Sequence, residues 1–145
     1  MLEPRERSDA GALLRSAPED DLAWLLFSFE GRLPRKSFWL YGVLGITLAQ
    51  MFIYFLLGIA GVSEALASGV AALAVVWPGL AINVKRWHDR DKPGWWVLIN
   101  LVPLVGTLWT LIECGLLPGT PGDNRFGPDP KGAAALGAVR NRPLS

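Results

Sequence analysis

The chain is 145 residues long, enough for one domain, with 51% hydrophobic and 19% charged residues. Soluble domains carry about 25% charged side chains, so this composition argues against a water-soluble globule. A formal net charge of +1 excludes the broad basic field of a nucleic-acid binder, and a lone cysteine, Cys114, excludes an internal disulfide.

Residues 1–18 alternate acids and bases around Pro4 and Pro18, the pattern of a mobile arm. Pro18-Glu19-Asp20-Asp21 reads as a helix start with Asp20 or Asp21 as cap. The helix predicted over 19–29 is too short to span and suits the membrane interface, or else packing on the bundle. No secretory signal is visible, because the apolar run at 22–29 follows acids rather than bases. The first span is therefore expected to direct insertion. A turn at 30–37 leads into that span, predicted over 38–62, with Phe38 and Trp39 at interface depth and Gln50 near its middle. Residues 61–64 allow only a tight connection.

The second span, predicted over 65–84, is rich in small residues. Pairs such as Ala67/Ala71 and Ser68/Ala72 would let a neighbouring backbone approach closely. Pro78 removes a backbone donor and should kink it. A polar, aromatic block at 85–96 follows, then a third apolar span over 95–117 with Pro103 and Gly106 near its middle. Each span reaches the length of about 20 residues that a bilayer core requires. A Gly/Pro motif at 118–130 is expected to be ordered, and the alanine- and glycine-rich tail at 131–145 disordered. The fold class read from this pattern is all-α: an integral membrane bundle of three transmembrane helices with a short N-terminal interfacial helix, residues 19–130 forming one membrane domain.

Arg32, Arg35 and Lys36 precede the first span, and Lys85, Arg86, Arg90 and Lys92 follow the second, whereas 61–64 carries no base. The positive-inside rule then places the N-terminus and the 85–92 loop in the cytoplasm. We expect the third segment to cross fully and leave the tail outside. Pro103 and Gly106 would permit a re-entrant path, but unsatisfied backbone in lipid is expensive unless buried in protein.

The 85–96 block holds the chain's one histidine, in His88-Asp89. Adjacent residues point apart on a helix, and no serine or cysteine nucleophile neighbours them, so a hydrogen-bonded cluster is expected before catalysis. One histidine and scattered acids fall short of a zinc shell, and no cofactor is expected. Glu113, near the end of the third span, is an intramembrane ionisable group of the kind that marks function, or it pairs with a base such as Arg125. Gln50, Asn83 and Asn100 suit interhelical hydrogen bonds.

Three motifs stand in order between the spans: Phe29-Glu30-Gly31-Arg32-Leu33-Pro34-Arg35-Lys36-Ser37-Phe38-Trp39, then Lys85-Arg86-Trp87-His88-Asp89-Arg90-Asp91-Lys92-Pro93-Gly94-Trp95-Trp96, then Gly119-Thr120-Pro121-Gly122-Asp123-Asn124-Arg125-Phe126-Gly127-Pro128-Asp129-Pro130. Over roughly 25–130 the chain closely resembles Domain of Unknown Function 805, a family of small bacterial inner-membrane proteins. The family's first pattern falls on Gly31, Arg32, Arg35, Phe38 and Trp39, and its second on Arg86, His88, Asp89, Lys92, Gly94 and Trp95. Trp87 stands where leucine is usual and Pro93 where serine is usual. The resemblance implies membrane location and no particular chemistry. A non-catalytic binding or scaffolding role is the leading expectation. Its polar cap or lipid-binding surface would comprise Gly31, Arg32, Arg35, Trp39, Arg86, His88, Asp89, Lys92, Gly94, Trp95, Asn124 and Arg125. Membrane lipids, anionic ones above all, or another membrane protein or a second copy are the expected partners, with Arg32 and Arg86 the bases that should matter most for lipid. The rivals are an oligomeric transporter or channel component using Glu113 and Gln50, and a lipid-active enzyme using His88 and Asp89.

Overall fold

A computed structural model describes residues 21–132, and no strand occurs among the described residues. The arm expected at 1–18 and nearly all of the tail expected at 131–145 lie outside them. The first helix among the described residues, α1 (Leu22–Phe27), falls within the predicted 19–29 and ends two residues before its close. Asp21 caps it, accepting from the N–H groups of Ala23 at 2.9 Å and Trp24 at 3.3 Å. Leu25 is buried against the bundle while Leu22 and Phe27 face outward. The other end is closed by Lys85, whose ammonium donates to the carbonyls of Trp24 (2.7 Å), Leu25 (2.6 Å) and Ser28 (2.8 Å). Three protons find three acceptors, so a side chain with 0% exposure keeps full hydrogen bonding. α1 is thus packed on the bundle.

The helices α2 (Arg35–Ile59) and α3 (Glu64–Asp89) form a long antiparallel pair joined by a tight turn, where Gly61 takes φ +76°. Both are long and apolar enough to cross a bilayer. None of the most apolar stretch of α2 is buried, and only a minority of that of α3. A soluble core helix would be covered; such apolar surface belongs in lipid. Of the small pairs, Ala67/Ala71 is buried, whereas Ser68/Ala72 faces outward. α3 continues without interruption through Pro78 and runs on to Asp89, five residues past the predicted end. Lys85, Arg86 and Asp89 are buried within its last turns. That extension carries the candidate site.

The third span requires correction. Residues expected to form one helix over 95–117 make two short limbs, a 3₁₀ helix at Gly94–Leu101 and α4 (Val105–Leu116). Pro103 drives Val102 into extended backbone (φ −92°, ψ 104°), as a proline does to the residue before it. Leu104 then adopts φ 63°, and the Val105 N–H bonds back to the Pro103 carbonyl at 2.7 Å, closing a three-residue turn. The limbs fold against each other. A Cβ at Gly106 would lie 1.9 Å from the Ile99 carbonyl oxygen, so only glycine allows this approach. The Thr110 hydroxyl donates to Asn100 Oδ1 at 3.0 Å across the same seam. Gly94, at the start of the first limb, packs on Val84 and His88, and α4 ends beside Arg35 and Arg86. Both ends of the hairpin therefore lie at the same end of the α2–α3 pair.

Candidate functional site

Asp89 organises that end. The (i,i+3) spacing sets Arg86 one turn before it on the same helix face, and Arg86 Nη1 donates to Asp89 Oδ2. Arg32, brought in by the loop between α1 and α2, donates from Nε to Asp89 Oδ1 at 3.1 Å. All three side chains are buried. A buried carboxylate between two guanidiniums is held by charge as well as by hydrogen bonds, and charge-assisted bonds of this kind are the stronger class.

The remaining guanidinium donors take backbone carbonyls. Arg86 reaches Cys114 O and Leu117 O, each at 2.5 Å, and Arg35 reaches Leu116 O at 2.8 Å. Trp39 Nε1 donates to Gly115 O at 2.9 Å. The last carbonyls of a helix lack intrahelical partners and carry the negative end of its dipole. Two arginines and one indole here satisfy those of α4. Arg32 does the same for the loop beyond, donating to Thr120 O and Gly122 O at 2.6 Å each.

The 118–127 segment closes over α3. The carbonyl of Asp89 accepts from Thr120 N–H (2.8 Å) and Thr120 Oγ1 (3.0 Å), and that of His88 from Asn124 Nδ2 (2.8 Å). Thr120 and Asn124 thereby cap α3 from outside it. His88 lies flat on Phe126, ring centroids 3.9 Å apart, with Nδ1 3.2 Å from the Gly31 carbonyl. Gly119 is required by space, since a Cβ there would sit 2.0 Å from Asp89 Oδ2. Around the rim, Glu113 pairs with Lys92 at 2.9 Å and Arg90 at 3.1 Å, and Arg125 with Asp91 at 3.1 Å. The backbone N–H groups of Lys131 and Gly122 hold the Asp129 carboxyl below its usual range.

Most of the predicted residues meet here: Gly31, Arg32, Arg35, Trp39, Arg86, His88, Asp89, Lys92, Gly94, Asn124 and Arg125, with Glu113 at the edge. Trp95 is 63% exposed and stacks only on Trp96 among the described residues, outside the cluster. Glu113 pairs with Arg90 and Lys92 rather than with Arg125. Gln50 lies on the exposed face of α2, roughly 20 Å along the axis from Arg35. Arg32 and Arg86, expected as the main lipid contacts, are buried with their donors committed to the protein. Thr120, Gly119 and Lys85 take larger parts than their positions suggested. Their signals were slight: a turn-forming run after an apolar segment, and a base at a helix end. Among the described residues no group of His, Cys, Asp and Glu could hold a metal ion.

Two bare apolar helices, a folded-back apolar hairpin and a buried Arg–Asp–Arg cluster at one end define a small helical membrane protein built around an internal polar cap. The chain belongs to the DUF805 family, described as a protein of unknown function, whose family model matches residues 26–128. It is similar to the inner membrane protein YhaH of Escherichia coli K12, 36% identical over 112 residues that cover 71% of this chain and 87% of the relative. It is also similar to the inner membrane protein YhaI of the same strain, at 35% identity over 103 residues covering 71% and 86%. The uncharacterised protein YiiR of that strain is 28% identical over 128 residues, covering 72% and 86%. No solved structure matches the chain.

Proposed function

We propose that the chain is a non-catalytic inner-membrane protein with a binding or scaffolding role, crossing the bilayer twice with its polar cap in the cytoplasm. The third apolar segment enters the membrane and returns, and the cap clamps its returning end. The observation that carries this is the convergence of Arg35 and Arg86 on the last carbonyls of α4, at 2.5–2.8 Å. A segment that crossed fully would carry those carbonyls to the opposite face. Irregular backbone at membrane depth is tolerated where the protein satisfies it; at the break, Val105 and Gly106 N–H bond to Pro103 and Val102 carbonyls.

The non-catalytic part is supported by His88 and Asp89. An acid–base relay between them would need their side chains paired, whereas Asp89 is turned to two arginines and His88 to Gly31 and Phe126. The cytoplasmic orientation is supported by the basic residues at the cap end and their absence from the 61–64 turn. Single-cysteine labelling in intact cells tests it, in a Cys114→Ala background. Ser63→Cys should react with an impermeant maleimide, and Arg90→Cys only after permeabilisation. Strong labelling at position 90 in intact cells would reverse the orientation.

A further inference from the structure

Seven bases, at 32–36 and 85–92, lie where the two long helices meet the cap, but they are not equivalent. Arg32, Lys85 and Arg86 are buried and bonded inside the protein. Arg90 and Lys92 share Glu113. Arg35 and Lys36 alone among the seven are exposed and without a carboxylate. Among the described residues, the Lys36 side chain has no hydrogen bond or ion pair, and Arg35 uses one nitrogen on the Leu116 carbonyl. Both side chains border a shallow, open groove of about 510 Å³ whose other lining residues are Trp39, Leu40 and Leu44. Leu40 is 53% and Leu44 52% exposed.

We propose that this groove binds one anionic phospholipid, with its phosphate against the Arg35 guanidinium and Lys36 ammonium and an acyl chain along Leu40 and Leu44. Charge complementarity selects the occupant. Two cations without a carboxylate partner favour a net negative headgroup, while a zwitterion brings its own cation to the same place. The apolar wall below favours a chain-bearing ligand over free phosphate. Trp39 turns its Nε1 inward to Gly115, so its ring is a fixed wall at the depth where indoles sit in membranes. The site rests on the two-span reading only for its depth at the cytoplasmic interface.

The test uses the full chain in nanodiscs of equal parts phosphatidylglycerol and phosphatidylcholine, with retained lipid counted by native mass spectrometry. Wild type should retain phosphatidylglycerol in preference. Lys36→Gln should lower that preference about fivefold, equivalent to about 1 kcal/mol, and Arg35→Gln with Lys36→Gln about twenty-five-fold. Lys131→Gln, at an exposed base beyond the capped loop and outside the groove lining, should leave it unchanged. Lys36→Gln should also melt like wild type, because its side chain holds nothing in place. Phosphatidylglycerol with a photoreactive chain should crosslink within residues 40–44. Unchanged preference in the double variant, equal loss from Lys131→Gln, or displacement by inorganic phosphate would overturn the site. Loss of preference together with external labelling at position 90 would overturn the orientation and leave the lipid site standing.

Discussion

Asp89→Ala is expected to lower stability by about 3–5 kcal/mol, because it leaves two buried guanidiniums without their shared anion. Arg32 and Arg86 are 4% and 0% exposed, so water does not replace the lost partner. Asp89→Asn should fall between wild type and alanine, keeping a neutral acceptor in place of the charged one. Arg86→Lys should rescue little. An ammonium cannot reproduce the fork that reaches Asp89, Cys114 and Leu117 together. Thermal unfolding of the detergent-solubilised chain, followed by tryptophan fluorescence, reads all three. Wild-type melting in Asp89→Ala would mean that the cluster does not hold the fold.

Gly106→Ala is expected to open the hairpin. The new methyl would overlap the Ile99 carbonyl; its position is fixed on Cα and the groups it meets are backbone, so no side-chain rotation relieves the clash. The limbs must separate, the Asn100–Thr110 bond is lost, and the cost should reach at least about 3 kcal/mol, the upper end for overpacking. Gly58→Ala is the matched control, since a Cβ there meets nothing within 4 Å. In the last turn of α2 that change should be neutral or stabilising by less than about 1 kcal/mol. Amide exchange should quicken across both limbs in Gly106→Ala and stay at wild-type rates in Gly58→Ala. Equal behaviour of the two variants would contradict the hairpin.

The first two spans were legible because long apolar runs have few other uses. The end of α3 was not. Charge at Lys85, Arg86 and Asp89 reads as departure from the membrane, whereas α1 carbonyls take Lys85, carbonyls at the end of α4 take Arg86, and the two arginines take Asp89, so those charges stay buried on the helix. The third segment was misread for a related reason. Its composition suits one crossing or two short limbs equally, and the choice depends on Leu104 turning to φ 63° and Gly106 touching Ile99. Proline and glycine signalled that a break was possible without showing which way the chain would turn. At the cap, the side chains that donate were visible as motifs. Their acceptors were not, because every residue carries a carbonyl and sequence does not mark the ones left unpaired.

On the proposed topology the third segment returns to the side from which it entered. The accessibility of a cysteine at Lys131, compared in intact cells with one at Ser63, both in the Cys114→Ala background, decides it. Lys131 is exposed and follows the capped loop, so its side of the membrane is that of the hairpin's returning end. The expected result is impermeant labelling at position 63 and none at 131 until the membrane is permeabilised. Labelling of both positions in intact cells would mean that the segment crosses, and would contradict the clamp.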